Sequence, residues 1–193
     1  MKTAIYAKNL EKDVRLALYG MLEYSRVKLF PRHKNVSIKL HLREHVVDGE
    51  TYVDELDDRR NPRDFRIVID PYKLAMDEYD RTLSDKEWFH KLLRTVAHEM
   101  IHVKQYLRRE LTCKTKGLFW KGNAVDCSTE LDYYNAPHEV EAYGREKALF
   151  LGFLVIWNQL KELPPPTLMN IDIKVKDPLG KLAQQFRGRT PDC

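Results

Sequence analysis

Two histidines set four residues apart inside a long periodic segment constrain this chain more than any other feature of its sequence. Ser84 is followed three residues later by Glu87, the spacing of a capping box, which predicts a helix N-terminus. Beyond it Trp88, Leu92, Val96, Met100 and Val103 recur at intervals of four, four, four and three, predicting a helix over about 85–109. His98-Glu99-Met100-Ile101-His102 lies well inside that segment. Residues four apart share one helix face, so His98 and His102 point two imidazoles toward one place. Thr95, Val96, Ala97, Met100, Ile101 and Val103 carry no charge, as a buried helix requires. The fold therefore has to build a core around this helix and provide for two polar rings within it.

Two His ligands at this spacing suit Zn²⁺, and the intervening Glu99 can reach a zinc-bound water as general base. In such a centre the ion is the Lewis acid and lowers the water pKa to near 7, while the carboxylate takes the proton and passes it to the leaving amine. The alternative is a core-facing helix whose imidazoles are satisfied by hydrogen bonds. A catalytic zinc also needs a third protein ligand and an open position. Pro137 suits the first turn of another helix, expected over about 137–160, which opens with His138-Glu139-Val140-Glu141-Ala142.

His-Glu-x-x-His followed by Glu-x-x-Ala on a later helix resembles the gluzincin branch of the zincin metallopeptidases. The resemblance implies that Glu139, three residues before Ala142, is the third ligand. Glu141 is the alternative ligand; it lies about 200° further around the helix, so the two cannot face one ion together. The stretches HEMIHVKQY at 98–106, Trp120-Lys121-Gly122 and YNAPHEVEAYGRE at 134–146 are similar to a group of small phage-encoded proteins often labelled SprT-like metallopeptidases. This likeness covers about a quarter of the chain. The chain lacks both the His-x-x-x-His-Gly arrangement and the four-cysteine zinc ribbon of SprT-like proteases, departures that favour a Glu third ligand. Lys104 is charged where zincins usually carry an apolar residue. Tyr133, Tyr134 and His138 lie beside the implied third ligand, where a phenol or imidazole can hydrogen-bond the oxyanion of a tetrahedral intermediate.

Around this centre the expected architecture is α+β, a single zincin-like domain over residues 1–163 with a Pro-led basic tail at 164–193. Leu10, Val14, Leu18, Met21, Leu22 and Leu29 predict an amphipathic helix stopped by Pro31. Residues 36–42 alternate apolar and polar and predict a half-buried strand; 65–69 predict a second. A small twisted sheet of these strands should pack on the His98–His102 helix, with the Glu139 helix crossing behind. Residues 112–136 lack periodicity and read as a long loop. In zincins the sheet edge beside the metal commonly binds an extended peptide by strand addition; here 65–69, short and bracketed by prolines, is the expected edge.

Composition narrows the remaining classes. With 10 Tyr, 7 Phe and 3 Trp in 193 residues, disorder is excluded as a description of the whole. The longest uncharged apolar run, 148–157, is far shorter than the roughly 18 residues a membrane span needs, so no membrane partner is expected. The charged N-terminal segment offers no signal-peptide core, so the expectation is a cytoplasmic protein, in the host cytoplasm if phage-encoded. Cys113, Cys127 and Cys193 match no disulfide framework and read as free thiols. His41 and His45 are four apart in a strand-like pattern, which separates them, so no second site is expected there. Net charge is +4, yet Lys104, Arg108, Arg109, Lys114, Lys116 and Lys121 face a single acid, Glu110, while 54–58 is acidic. The leading expectation is thus a zinc metallopeptidase acting on a peptide or protein. Its rival is a zinc-stabilised binding or assembly module that contacts DNA or an acidic protein through the basic 104–121 segment.

Overall fold

Alternation and crossover explain the main sheet. The computed structural model describes residues 2–53, 62–77, 79, 81–115 and 117–162. β1 (Lys2–Tyr6) leads into α1 (Lys12–Leu29), which returns the chain to β2 (Ser37–Leu42). β3 (Gly49–Val53) and β4 (Asp64–Ile69) complete a four-stranded sheet in the order β1-β2-β4-β3. β1, β2 and β4 run parallel and β3 is antiparallel to β4. A parallel pair cannot be closed by a tight turn, and α1 is the crossover that β1 and β2 require. Ile38, Leu40 and Leu42 of β2 are buried and alternate with half-buried Ser37, Lys39 and His41. β4 buries Phe65, Ile67, Val68 and Ile69, as a central strand does.

Three helices close the core over that sheet. α1 buries Ala17, Leu18, Met21, Leu22 and Leu29 along one stripe and ends just before Pro31, which cannot continue it. After a 3-10 turn at Lys73–Ala75, α2 (Asp85–Leu107) opens with both halves of the capping box: Ser84 accepts from the Glu87 N–H and the Glu87 carboxylate accepts from the Ser84 N–H. α2 contacts β3, β4, α1 and the last helix, α4 (Pro137–Glu162), so it is the central element of the molecule. α4 lies along α2 and also meets α1. Gly152 of α4 is where the Tyr24 hydroxyl of α1 presses in, leaving no room for a Cβ. Phe150, Phe153 and Trp157 fill the space between these helices.

The architecture is mixed α+β, with both long helices where the periodicity places them. Two expectations are corrected. Residues 65–69 do not form an edge: β4 is paired on both sides, and β1 and β3 are the edges. Residues 112–136 are not a single loop. They fold into β5 (Leu111–Lys114), β6 (Gly117–Trp120) and β7 (Asn123–Ala124), a second antiparallel sheet in that order, followed by the short α3 (Glu130–Asn135). Gly117 and Gly122 sit at φ of 119° and 89°, the left-handed conformations that the tight turns of this sheet demand. The acidic 54–58 stretch, the 164–193 tail and Cys193 lie outside the described residues. Among those described, Cys113 and Cys127 are exposed and free, and no helix is long and apolar enough to cross a membrane.

Candidate metal centre

α2 and α4 bring three of the sequence-selected side chains to one point. His98, His102 and Glu139 are all buried and present ligand atoms within 4.8 Å of one another. His98 Nε2 is 3.1 Å from His102 Nε2 and 3.2 Å from Glu139 Oε2; His102 Nε2 is 3.3 Å from Glu139 Oε1. Glu139 occupies the first turn of α4, where the Pro137 ring starts the helix and the exposed N–H groups favour a carboxylate.

The far side of each imidazole decides what its near side can do. His98 Nδ1 donates to Glu146 Oε2 at 2.8 Å, and Glu146 is paired through its other oxygen with Arg94. His102 Nδ1 lies 2.8 Å from the Gln105 amide oxygen. Both Nδ1 atoms face acceptors and so carry the ring proton, which leaves both Nε2 atoms with lone pairs. Two lone pairs and a carboxylate about 3 Å apart in a buried place repel one another unless a proton or a metal cation lies among them. Glu139 Oε2, fully shielded from solvent, has no hydrogen-bond donor. An orphaned buried carboxylate oxygen beside two imidazole lone pairs is the donor set of a metal site, and these residues could hold a metal ion.

Charge responds accordingly. Burial opposes protonation of His98, yet Glu139, Glu146 and Glu99 raise its pKa to about 10. His102 is likewise raised against its burial, chiefly by Glu139. Glu139 is held well below the usual carboxylate range by His102 and His98 in spite of its own burial. The pocket thus favours positive charge at its centre.

Glu99 stands beside this group on α2. Burial raises its carboxyl pKa, opposed by His102, His98 and a hydrogen bond from Thr51. The Thr51 hydroxyl is 2.7 Å from Glu99 Oε2. Two residues before Thr51, a Cβ on Gly49 would lie 2.8 Å from both Glu99 Oε1 and Thr95 Cγ2. The edge strand β3 therefore supports Glu99 from both ends of one face. A carboxyl with a raised pKa in a shielded place is a stronger proton acceptor than an exposed one.

The other candidates divide. Glu141 does not join the group; its oxygens are taken by Lys104 Nζ at 2.7 Å, Arg145 Nε at 3.1 Å and Gln105 Nε2 at 3.1 Å. His138 is buried with its Nε2 3.5 Å from Glu139 Oε1, and burial lowers its pKa, so it stays neutral. Tyr133 sits close enough to Glu139 that the carboxylate, after burial, raises its phenol pKa. Tyr134 is half-exposed and reaches the site only through the Tyr143 ring, 5.8 Å away. Tyr143 itself stands edge-on to His98 at 4.6 Å. His41 is not near this site; it stacks on Tyr6. Of the basic 104–121 segment, Lys104 is buried, whereas Arg108, Lys114 and Lys121 are exposed.

Sequence reasoning did not select Gln105, Glu146, Arg94, Tyr143 or Thr51. Helix arithmetic signals the first four: Gln105 follows His102 by three, Arg94 precedes His98 by four, and Tyr143 and Glu146 follow Glu139 by four and seven. Thr51 needs the β3–α2 contact and has no such signal. No protein family, curated protein or solved structure matches the chain.

Proposed function

We propose that the chain is a zinc-dependent metallopeptidase of the gluzincin kind, with His98, His102 and Glu139 as ligands and Glu99 as general base. The observation that carries this reading is the pair of Nε2 lone pairs converging with an undonated Glu139 oxygen, beside the buried carboxyl of Glu99. The 3.1 Å between the two Nε2 atoms is close to the roughly 3.3 Å edge of a tetrahedron with about 2.0–2.1 Å metal–ligand distances, as zinc prefers, and each of them has a Glu139 oxygen within 3.3 Å. Bound there, zinc would supply a Lewis acid and a water acidified toward pH 7.

The chain's own groups do the rest. Glu99, steadied by Thr51, takes the proton of the attacking water and delivers it to the departing amine. His138 and Tyr133, closer to the ligands than Tyr134, are placed to donate to the oxygen that gains charge. β3, the edge strand that holds Glu99, has one side without a strand partner among the described residues, and an extended peptide added there would run past the general base.

Elemental analysis should give one zinc per chain in the wild type and none in His98→Ala or Glu139→Ala. Glu141→Ala should retain zinc at saturation. Glu99→Gln should retain zinc and lose about 10²–10⁴-fold in hydrolysis of an unfolded protein substrate. Full hydrolysis by Glu99→Gln sinks the enzyme reading. Salt-sensitive binding to DNA or an acidic protein, unchanged in Glu99→Gln and lost on reversing Lys114 and Lys121, would establish the binding-module rival.

A further inference from the structure

Lys104 is buried, 2% exposed, and has no part in the chemistry above. A buried ammonium is costly unless its charge is answered, and here it is answered twice: Nζ is 2.6 Å from Glu110 Oε2 and 2.7 Å from Glu141 Oε1. The second oxygen of Glu141 accepts from Gln105 Nε2 at 3.1 Å, and the same amide nitrogen donates to the His138 carbonyl at 2.9 Å. Both partners of that nitrogen are acceptors only. Reversing the amide would set its oxygen against a carboxylate and a carbonyl, so the amide has one orientation. Oε1 is then left facing His102 Nδ1 at 2.8 Å, and that ring nitrogen has to carry the proton.

We propose that Lys104, acting through Glu141 and Gln105, is a positioning residue for the metal centre: it holds His102 in the Nδ1–H tautomer and so keeps Nε2 free for the metal. The proposal rests on the metal-centre reading. His98 needs no such chain, because its partner Glu146 is itself a carboxylate fixed by Arg94 and can only accept. His102 is backed by a neutral amide, which has a donor end and an acceptor end. The Glu141 carboxylate and the His138 carbonyl beyond it select the correct end, and Lys104, buried where Arg145 is exposed, is the closer of the two cations that fix that carboxylate. Without Lys104 the Glu141 side chain, 20% exposed, keeps only the exposed Arg145 as a charged partner and can turn toward solvent with it. Gln105 is then held by the His138 carbonyl alone and is freer to present its N–H₂ to His102, selecting the Nε2–H tautomer, whose Nε2 has no lone pair for a metal.

The test compares the wild type with Lys104→Met and with Lys104→Met/Glu141→Leu; the double variant removes both charges of the buried pair and leaves only the solvent-accessible Glu110 and Arg145 without that partner. Zinc affinity is measured by competition with a chromophoric chelator, and exchange of the His102 Nδ1 proton with water is followed by NMR in the zinc-loaded proteins. Both variants should bind zinc about 10–100-fold more weakly, the usual cost of losing such support, and exchange that proton faster. Equal affinity in folded variants overturns the proposal, and so does weaker affinity with unchanged exchange, which is a merely structural effect. A wild type that takes up no zinc overturns the metal-centre reading and this one together. Zinc-binding wild type beside equally binding variants overturns this one alone.

Discussion

Gly49 shows how much of the site depends on a missing atom. A Cβ there would meet Glu99 Oε1 and Thr95 Cγ2 at 2.8 Å, and both belong to α2, which is held between β3, β4, α1 and α4. Gly49→Ala should cost about 1–3 kcal/mol in stability, as overpacking does. It should also displace Glu99 while leaving His98, His102 and Glu139 in place. The expected outcome is hydrolysis reduced far more than zinc content, and parallel activity and metal assays on one preparation check it. At this scale the sequence was readable where helical spacing carries the information. The four-residue step of His98 and His102 indicated their convergence, and the likeness to gluzincins singled out Glu139. Glu141 against Glu139 is a question of which face of α4 meets α2, and the answer lies in partners, Lys104 and Gln105, that no local pattern pairs with it.

The helix that carries the ligands owes its start to a local device. Ser84 and Glu87 close a reciprocal cap at the N-terminus of α2. The Ser84 backbone and hydroxyl, then Arg81, hold the Glu87 carboxyl down at about 2. A carboxyl depressed by folding adds stability above its unfolded pKa, near 4.3, and loses it as the pH falls through the folded value. Glu87→Gln should therefore unfold at lower temperature than the wild type at pH 7, and the two melting curves should converge near pH 2. Ser84→Ala should cost about 1 kcal/mol at neutral pH, measurable by denaturant titration.

Elements with strong periodicity or alternation, α1, α2, α4, β2 and β4, were legible for the same reason that the cap was: their signals are local. β1, β3 and β5–β7 were not. Strands of two to five residues carry too few positions for alternation to register. Which strand lies at an edge is a property of the pairing order, and the short, proline-bracketed 65–69 segment became a central strand because β3 returns antiparallel beside it.

For the molecule as a whole, the proposed ion would add to the packing and to the Arg94–Glu146 and Lys104–Glu141 ion pairs that already join two elements. His98 and His102 belong to α2 and Glu139 to α4, the most extensive helix pair in the fold. Binding linked to the folded state stabilises it by about 2.7 kcal/mol at a hundredfold excess over Kd. For a chain of this size that corresponds to roughly 5–10 °C in Tm. A chelator should lower Tm by that amount in the wild type and leave Glu139→Ala unchanged, which scanning calorimetry checks.

The order of the ligands along the chain has a further consequence for a growing polypeptide. Between His102 and Glu139 lie β5, β6, β7 and α3, all of which a ribosome must make after the two imidazoles and Glu99 have been added. Until α4 begins, the nascent chain would hold the proposed general base and two of the three proposed ligands, an arrangement with no closed triad. If the proposed activity holds, everything before Glu139 is made before the hydrolytic centre can be assembled. Translation itself is the timer, and no separate inhibitory segment is required for that interval.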